Sequence, residues 1–297
     1  MENNKLFLSS YIMGGLGNQM FQIFTTIATS FRQNKNFIFP FYDLSPGITK
    51  RVTYWDTLFD KLLNYTTFNN NIITNKDIKQ FFVFREISHN YKDILNYNVN
   101  TILFGYFQSF KYFDNYKNEI LKLIDFDNKK NTINSKYNYF QEEDNSITIS
   151  IHFRFGDYLK LKDVFEILDE QYYIRAIKEI LYRDLTKNVN LFYFYELADI
   201  SRVDTIIEKI QDFTGKYTEF NFKHIKINNN IPDWEQMILM SCCNHNIIAN
   251  STFSWWGAYL NNNKYSFVCY PNKWFGSKEQ KKQNEMNDMF PKGWICL

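Results

Sequence analysis

Apolar positions along this chain follow two alternating rhythms: short β-branched or aromatic runs, then longer stretches at helical spacing. The first run, Leu6-Phe-Leu-Ser-Ser-Tyr-Ile12, predicts a strand over 5–13. Ile23-Phe-Thr-Thr-Ile-Ala-Thr-Ser-Phe31 lies in a predicted helix over 18–33. A strand at 36–41, a loop with Pro46-Gly47 and a helix near Trp55–Leu63 follow, then strands near Phe81–Arg85 and Thr101–Gly105 and a helix from Tyr112 to Ile124. Asp125 to Asn145 carries few apolar residues and reads as a linker or crossover. The rhythm then repeats. Strand 146–153 precedes helix 170–183, where Tyr173, Ile177 and Ile180 share a face. Strand 189–195 precedes helix 200–212, with Val203, Ile206, Ile207 and Ile210. A strand near 218–226, helix 233–243, strand 246–249, helix 252–262 and strand 265–270 complete the pattern. Alternation of this kind implies parallel sheets, here in two α/β halves: an N-terminal domain over 1–140 and a C-terminal domain over 141–297. The charged run Ser277-Lys-Glu-Gln-Lys-Lys282 reads as a solvated helix face, and no repeat of 20–50 residues is present.

Three strand-to-helix turns carry candidate chemistry. The apolar run Ser146-Ile-Thr-Ile-Ser-Ile151 delivers His152, Arg154 and Asp157 within six residues. Loops at the carboxyl ends of parallel strands are where open α/β folds bind ligands, and the planar fork of an Arg matches phosphate oxygens. A turn in which Arg154 and Asp157 merely pair fits these residues equally well. The second turn is Met13-Gly14-Gly15-Leu16-Gly17-Asn18-Gln19-Met20-Phe21-Gln22. Its glycines let backbone approach a ligand, and the helix start offers unpaired N–H groups. Its spacing is not that of the dinucleotide fingerprint, and a tight turn with no ligand is as good an account of it. In the third turn, Asn246-Ile-Ile-Ala249 leads into Asn250-Ser251-Thr252-Phe253-Ser254-Trp255-Trp256. Ser251 or Thr252 is expected to cap a helix there, with hydroxyls at an anion-binding terminus. Trp255 and Trp256 are expected to fill the core.

Composition narrows the class. A hydrophobic content of 45% is ample for one large domain or two ordinary ones. The 30 Phe and 21 Tyr, alongside abundant Asn and Lys, fit an AT-rich genome and are not counted as evidence for sugar stacking. A net charge of +2 supplies no basic field for nucleic acid. Cys242, Cys243, Cys269 and Cys296 lack zinc-ligand spacing and suit a reduced cytosolic protein. No apolar run of 18 residues occurs, and the first ten residues lack a signal-peptide core, so no integral membrane segment is expected. Asp125-Phe-Asp127 has the look of a metal motif, but no third ligand lies nearby in sequence, and it is rejected as a metal site.

The three turns, together with Gly105-Tyr106-Phe107-Gln108-Ser109-Phe110-Lys111-Tyr112-Phe113, resemble glycosyltransferase family 11, the α-1,2-fucosyltransferases. The resemblance runs nearly end to end. It implies a GT-B type fold, two Rossmann-like domains facing a cleft, the first on the acceptor side and the second on the GDP-sugar side. The implied activity is an inverting, metal-independent transfer of fucose from GDP-fucose to the 2-hydroxyl of a galactoside, with no cofactor and a cytoplasmic location. The implied partners are a GDP-sugar donor and a carbohydrate acceptor. Arg154 is the expected diphosphate ligand, Asp157 the first choice of general base, though it would serve equally to orient Arg154, and His152 a loop or nucleotide contact. Gly14, Gly15, Gly17, Asn18, Gln19, Asn250, Ser251 and Thr252 are expected to add donor-binding groups, with Asn18 or Gln19 also placed to touch fucose or acceptor. Two departures stand out. Many relatives carry a second Arg where this chain has Phe155. Relatives also carry Ser-Asp-Asp where this chain has Glu196-Leu-Ala-Asp199, which leaves Glu196 and Asp199 both as candidates for the guanine edge or the ribose. A different GDP-deoxysugar, a non-galactose acceptor, or an inactive nucleotide- or carbohydrate-binding protein are the competing readings.

Overall fold

The computed structural model describes residues 5–45, 50–70, 72–140 and 145–297. The Pro46-Gly47 loop lies outside the described residues. Two compact units form, one within Met1–Lys129 and Glu285–Pro291, the other within Lys130–Asn284 and Lys292–Leu297.

The first unit runs β1 (Phe7–Ser10), α1 (Leu16–Gln33), β2 (Asn36–Phe37), α2 (Asn75–Ile78), β3 (Phe82–Arg85), β4 (Thr101–Phe104) and α3 (Lys117–Leu123). Its sheet has the order β2-β1-β4-β3 with every pairing parallel. Helix α1 is buried almost to its end, with Met20, Phe21, Ile23, Phe24 and Ile27 all inaccessible. Phe21 and Phe24 meet the Phe113 ring at 5.8 and 5.6 Å between centroids. The helix stops at Asn34, which takes the left-handed conformation common at helix ends. The returning segment Glu285–Pro291 belongs to this unit: the Glu285 carboxylate accepts from the His89 amide at 3.2 Å, and the Asp288 carbonyl accepts from the Ser109 hydroxyl at 2.7 Å.

Helix α4 (Phe126–Tyr137) occupies the stretch read as a linker, and the second unit begins inside it. Polar tethers hold its latter part, which explains why its apolar content did not announce it. Lys136 reaches Glu235 at 2.8 Å, Tyr137 donates to the same carboxylate, and Lys130 donates to the Ser241 carbonyl at 2.8 Å.

The second unit continues with β5 (Ser146–His152), α5 (Glu170–Arg183), β6 (Asn188–Phe194), α6 (Ile200–Thr214), β7 (Asn221–Lys226), α7 (Asp233–Ser241), β8 (His245–Ile247), α8 (Thr252–Tyr259), β9 (Val268–Tyr270), α9 (Gln280–Asn284) and β10 (Ile295–Cys296). Its parallel sheet has the order β10-β9-β8-β5-β6-β7. Ile149 pairs with Leu191 and Ile151 with Tyr193. These strands bury one cluster with Tyr173, Ile177 and Ile180 of α5 and Val203, Ile206 and Ile210 of α6. Continuous apolar runs of this kind are what a central parallel strand requires. Two parallel-sheet α/β units are therefore present, as the GT-B type expects.

Several elements differ from expectation. The helix near Trp55–Leu63 is instead a set of turns leading into a 3-10 segment, Asp60–Tyr65. The helix expected from Tyr112 starts only at Lys117, after two 3-10 turns. The Arg154 loop closes as a 3-10 turn over Gly156–Lys160. Among the described residues no helix is long and apolar enough to cross a membrane. Cys242, Cys243, Cys269 and Cys296 are free thiols.

Candidate active site

The carboxyl ends of β5, β6 and β8 lie side by side in the second sheet, and the predicted residues His152, Arg154, Asp157, Glu196, Asp199, Asn250, Ser251 and Thr252 gather there. Arg154 is the centre. One arm of its guanidinium donates to Asp157 at 2.6 Å, and the other donates to Glu196. Its charged plane also sits over the Tyr158 ring, 5.0 Å from the centroid. Two carboxylates therefore hold the fork, and the side chain is only 17% exposed. Asp157 serves here to orient Arg154.

Asp199 does something other than the expected reading of guanine. It is buried, and its carboxylate accepts the Gly156 amide at 2.9 and 3.0 Å and the Phe155 amide at 3.3 Å. Asp199 fixes the backbone that carries Arg154, and of the two acids Glu196 is the one half-exposed at the edge. Phe155 is fully buried, and Arg202 stands over its ring at 5.0 Å.

His152 is 5% exposed, with its ring against Phe253 at 5.3 Å. Burial, reinforced by the Arg154 charge, pushes its pKa down to about 3, so the ring is neutral at pH 7. Its Nδ1 is buried with no hydrogen-bond partner among the described residues. An orphaned buried nitrogen of this sort calls for a partner. Asn250 is inaccessible, and its amide nitrogen donates to the Glu166 and Trp274 carbonyls at 2.9 and 2.8 Å. It ties loops together, while its Oδ1 has no hydrogen-bond partner among the described residues. Ser251 occupies the N-cap of α8, but its hydroxyl makes no capping bond, contrary to expectation. Thr252 opens the helix. The first turn of α8 thus presents backbone donors and hydroxyls with no acidic residue among them. Behind it, Trp255 and Trp256 are inaccessible, as expected of core residues.

The glycine-rich turn belongs to the first unit. Gly14 has φ +79°, and the Asn18 side chain lies so close that an added Cβ would meet its Nδ2 at 2.6 Å. Gly15 sits at the N-cap of α1 with open space above it. Gly17, Asn18 and Gln19 lie in the first turn of α1, which starts two residues before the expected 18. Gln19 is buried, donating to the Gly14 and Val52 carbonyls at 2.9 and 2.8 Å, so it braces the turn instead of facing a ligand. Asn18 Oδ1 accepts from Gln108 at 2.9 Å.

Sequence reading placed Tyr158 in the Arg154 motif but gave it no role. Its ring stacks on Phe165 with centroids 4.0 Å apart, and its hydroxyl donates to the Asn250 carbonyl at 3.1 Å, joining the β5 and β8 loops. Burial pushes its phenol up to about 12, so it stays a donor at neutral pH. Its place one residue after Asp157 was the available signal. Among the described residues no three His, Cys, Asp or Glu side chains gather as a metal site would need.

Comparison with known proteins agrees with the turns. The profile of glycosyl transferase family 11 matches residues 1–297. The O-antigen biosynthesis glycosyltransferase WbnK of Escherichia coli is 30% identical over 191 residues, 61% of this chain and 57% of that protein's length. The chain thus spans little more than half of that relative. The alpha-1,2-colitosyltransferase of Escherichia coli is 26% identical over 312 residues, 96% of this chain and 97% of that protein. A solved structure of an Arabidopsis thaliana FUT1 mutant in complex with GDP shares 12% identity at a TM-score of 0.48, over 90% of this chain and 71% of that one. With a match over its whole length, the chain belongs to glycosyl transferase family 11.

Proposed function

We propose that the protein is an inverting, metal-independent fucosyltransferase that moves fucose from GDP-fucose to the 2-hydroxyl of a galactoside. The observation that carries this reading is Arg154, a guanidinium at a strand's carboxyl end whose two arms already hold anionic oxygens. The Glu196 and Asp157 carboxylates stand where phosphate oxygens of the departing GDP would bind. The acceptor hydroxyl attacks the anomeric carbon as the bond to the β-phosphate breaks, and the Asp157 carboxylate, displaced from Arg154 by the diphosphate, takes the hydroxyl proton. Negative charge then grows on the diphosphate, and a fixed guanidinium and the α8 N-terminus stabilise that charge more in the transition state than in the ground state. Glu196, released from Arg154, is the acid left to accept from the guanine N1–H and N2–H₂ edge.

A second reading has one observation in its favour. The relative aligned over nearly its full length carries a colitosyltransferase name, so a GDP-linked deoxysugar other than fucose is the alternative donor. Both readings share the nucleotide, which makes nucleotide choice the first test. GDP is expected to raise the melting temperature and UDP to leave it unchanged. Saturation at a hundred times Kd contributes about 2.7 kcal/mol, enough for an unambiguous shift. Equal shifts with the two nucleotides would remove the GDP-sugar assignment.

A further inference from the structure

Glu86 follows the last residue of β3 and remains in register with β4, its amide donating to the Phe104 carbonyl at 2.9 Å. Its carboxylate turns across that pairing. One oxygen accepts the Tyr106 amide at 2.8 Å, and the other accepts the Phe107 amide at 2.9 Å. The close approach requires Gly105, since a Cβ there would lie 2.6 Å from Glu86 Oε2. Phe107 is held at φ +53°, a conformation a bulky residue seldom adopts without support, with its ring buried against Tyr112 at 5.4 Å. The next residue, Gln108, donates to Asn18 Oδ1 at 2.9 Å, and Asn18 lies against Gly14. A continuous path thus runs from one carboxylate through two amides and two carboxamides to the glycine-rich turn. Asp199 makes the same contact in the second unit, holding two consecutive amides of the loop after the neighbouring strand.

We propose that Glu86 is a positioning residue: by gripping the Tyr106 and Phe107 amides it aims Gln108 at Asn18 and so fixes the glycine-rich turn at the sheet edge expected to serve the acceptor. Burial raises the Glu86 pKa, and the Tyr106 and Phe107 amides, donating to its carboxylate, oppose that shift. The start of the Gly105–Phe113 segment becomes the arm that transmits this grip.

The role in catalysis rests on the fucosyltransferase reading; the structural coupling does not. The test therefore reads both in Glu86→Gln, which places an amide nitrogen against a backbone N–H. Hydrogen exchange by mass spectrometry is expected to quicken at least tenfold in peptides covering 105–109 and also in those covering 13–19, with peptides over 146–158 unchanged. With GDP-fucose and lactose, KM for lactose is expected to rise by about tenfold or more, the size of one lost bond to a charged group, with KM for GDP-fucose little changed. Gln108→Leu cuts the path later. It is expected to loosen 13–19 while leaving the 106 and 107 amides protected, and it serves alone should Glu86→Gln not fold. Wild-type exchange over 13–19 in either variant overturns the proposal. Coupled exchange in a protein that transfers fucose to neither lactose nor any other galactoside upholds the structural coupling and refutes the substrate reading.

Discussion

Arg154→Ala is expected to lower kcat by about a hundredfold to a thousandfold while the protein stays folded, the cost typical of removing one preorganised donor from a developing anion. The competing role, a loop brace, predicts a different pair of results. The ion pairs to Asp157 and Glu196 join a guanidinium to carboxylates that are 49% and 53% exposed. Pairs with partners so exposed contribute about 0–1 kcal/mol to stability. The backbone of the loop is held separately by Asp199. Loss of Arg154 should therefore move the melting temperature little. Arg154→Lys should restore only a small part of the rate, because an ammonium cannot reproduce two parallel arms. Steady-state rates and a thermal melt on the same sample decide between the roles. Near-normal turnover with a lowered melting temperature would leave Arg154 as a brace alone.

Trp255→Ala is expected to have the largest effect on stability. The Trp255 ring is inaccessible and packs on Trp256 at 5.1 Å, Tyr259 at 4.7 Å and Trp294 at 5.7 Å between centroids. Truncating an aromatic residue in such a site costs about 3–5 kcal/mol, transfer and cavity terms together. For a unit of this size that is a fall in melting temperature on the order of 10 °C. Tyr265→Ala is the control, since Tyr265 is 82% exposed and its loss should fall within about 0.5 kcal/mol. Equal melting temperatures for the two variants would mean that the Trp cluster does not hold α8 in place.

Much of the second unit was legible because its helices are amphipathic and its strands apolar. Helix α5 falls over 170–183 as the Tyr173, Ile177 and Ile180 spacing requires, and Asp169 caps it through the Gln171 and Tyr172 amides. The sheets and the Arg154 turn follow from the same patterning. Elements held by polar side chains or by a partner strand were not legible. Helix α4 depends on Lys136 and Glu235, 99 residues apart. Strand β10 is two residues long and exists only through pairing with β9. The same blindness applies to the site. That Asp199 and Glu86 are spent on backbone amides, and that Gln19 is turned inward onto two carbonyls, depends on how neighbouring loops fold over each strand end. Residue type announced a carboxylate or a carboxamide in each case; only the third dimension shows what it holds.

The central claim is transfer from a GDP-sugar without a metal ion. The direct measurement is incubation of the purified protein with GDP-fucose and a panel of galactosides in excess EDTA, following GDP release and assigning the product linkage by NMR. The expected result is GDP release that depends on a galactoside, undiminished by EDTA, with fucose attached at the 2-hydroxyl. Activity lost in EDTA and restored by Mg²⁺ or Mn²⁺, or no turnover of any GDP-sugar, would contradict it.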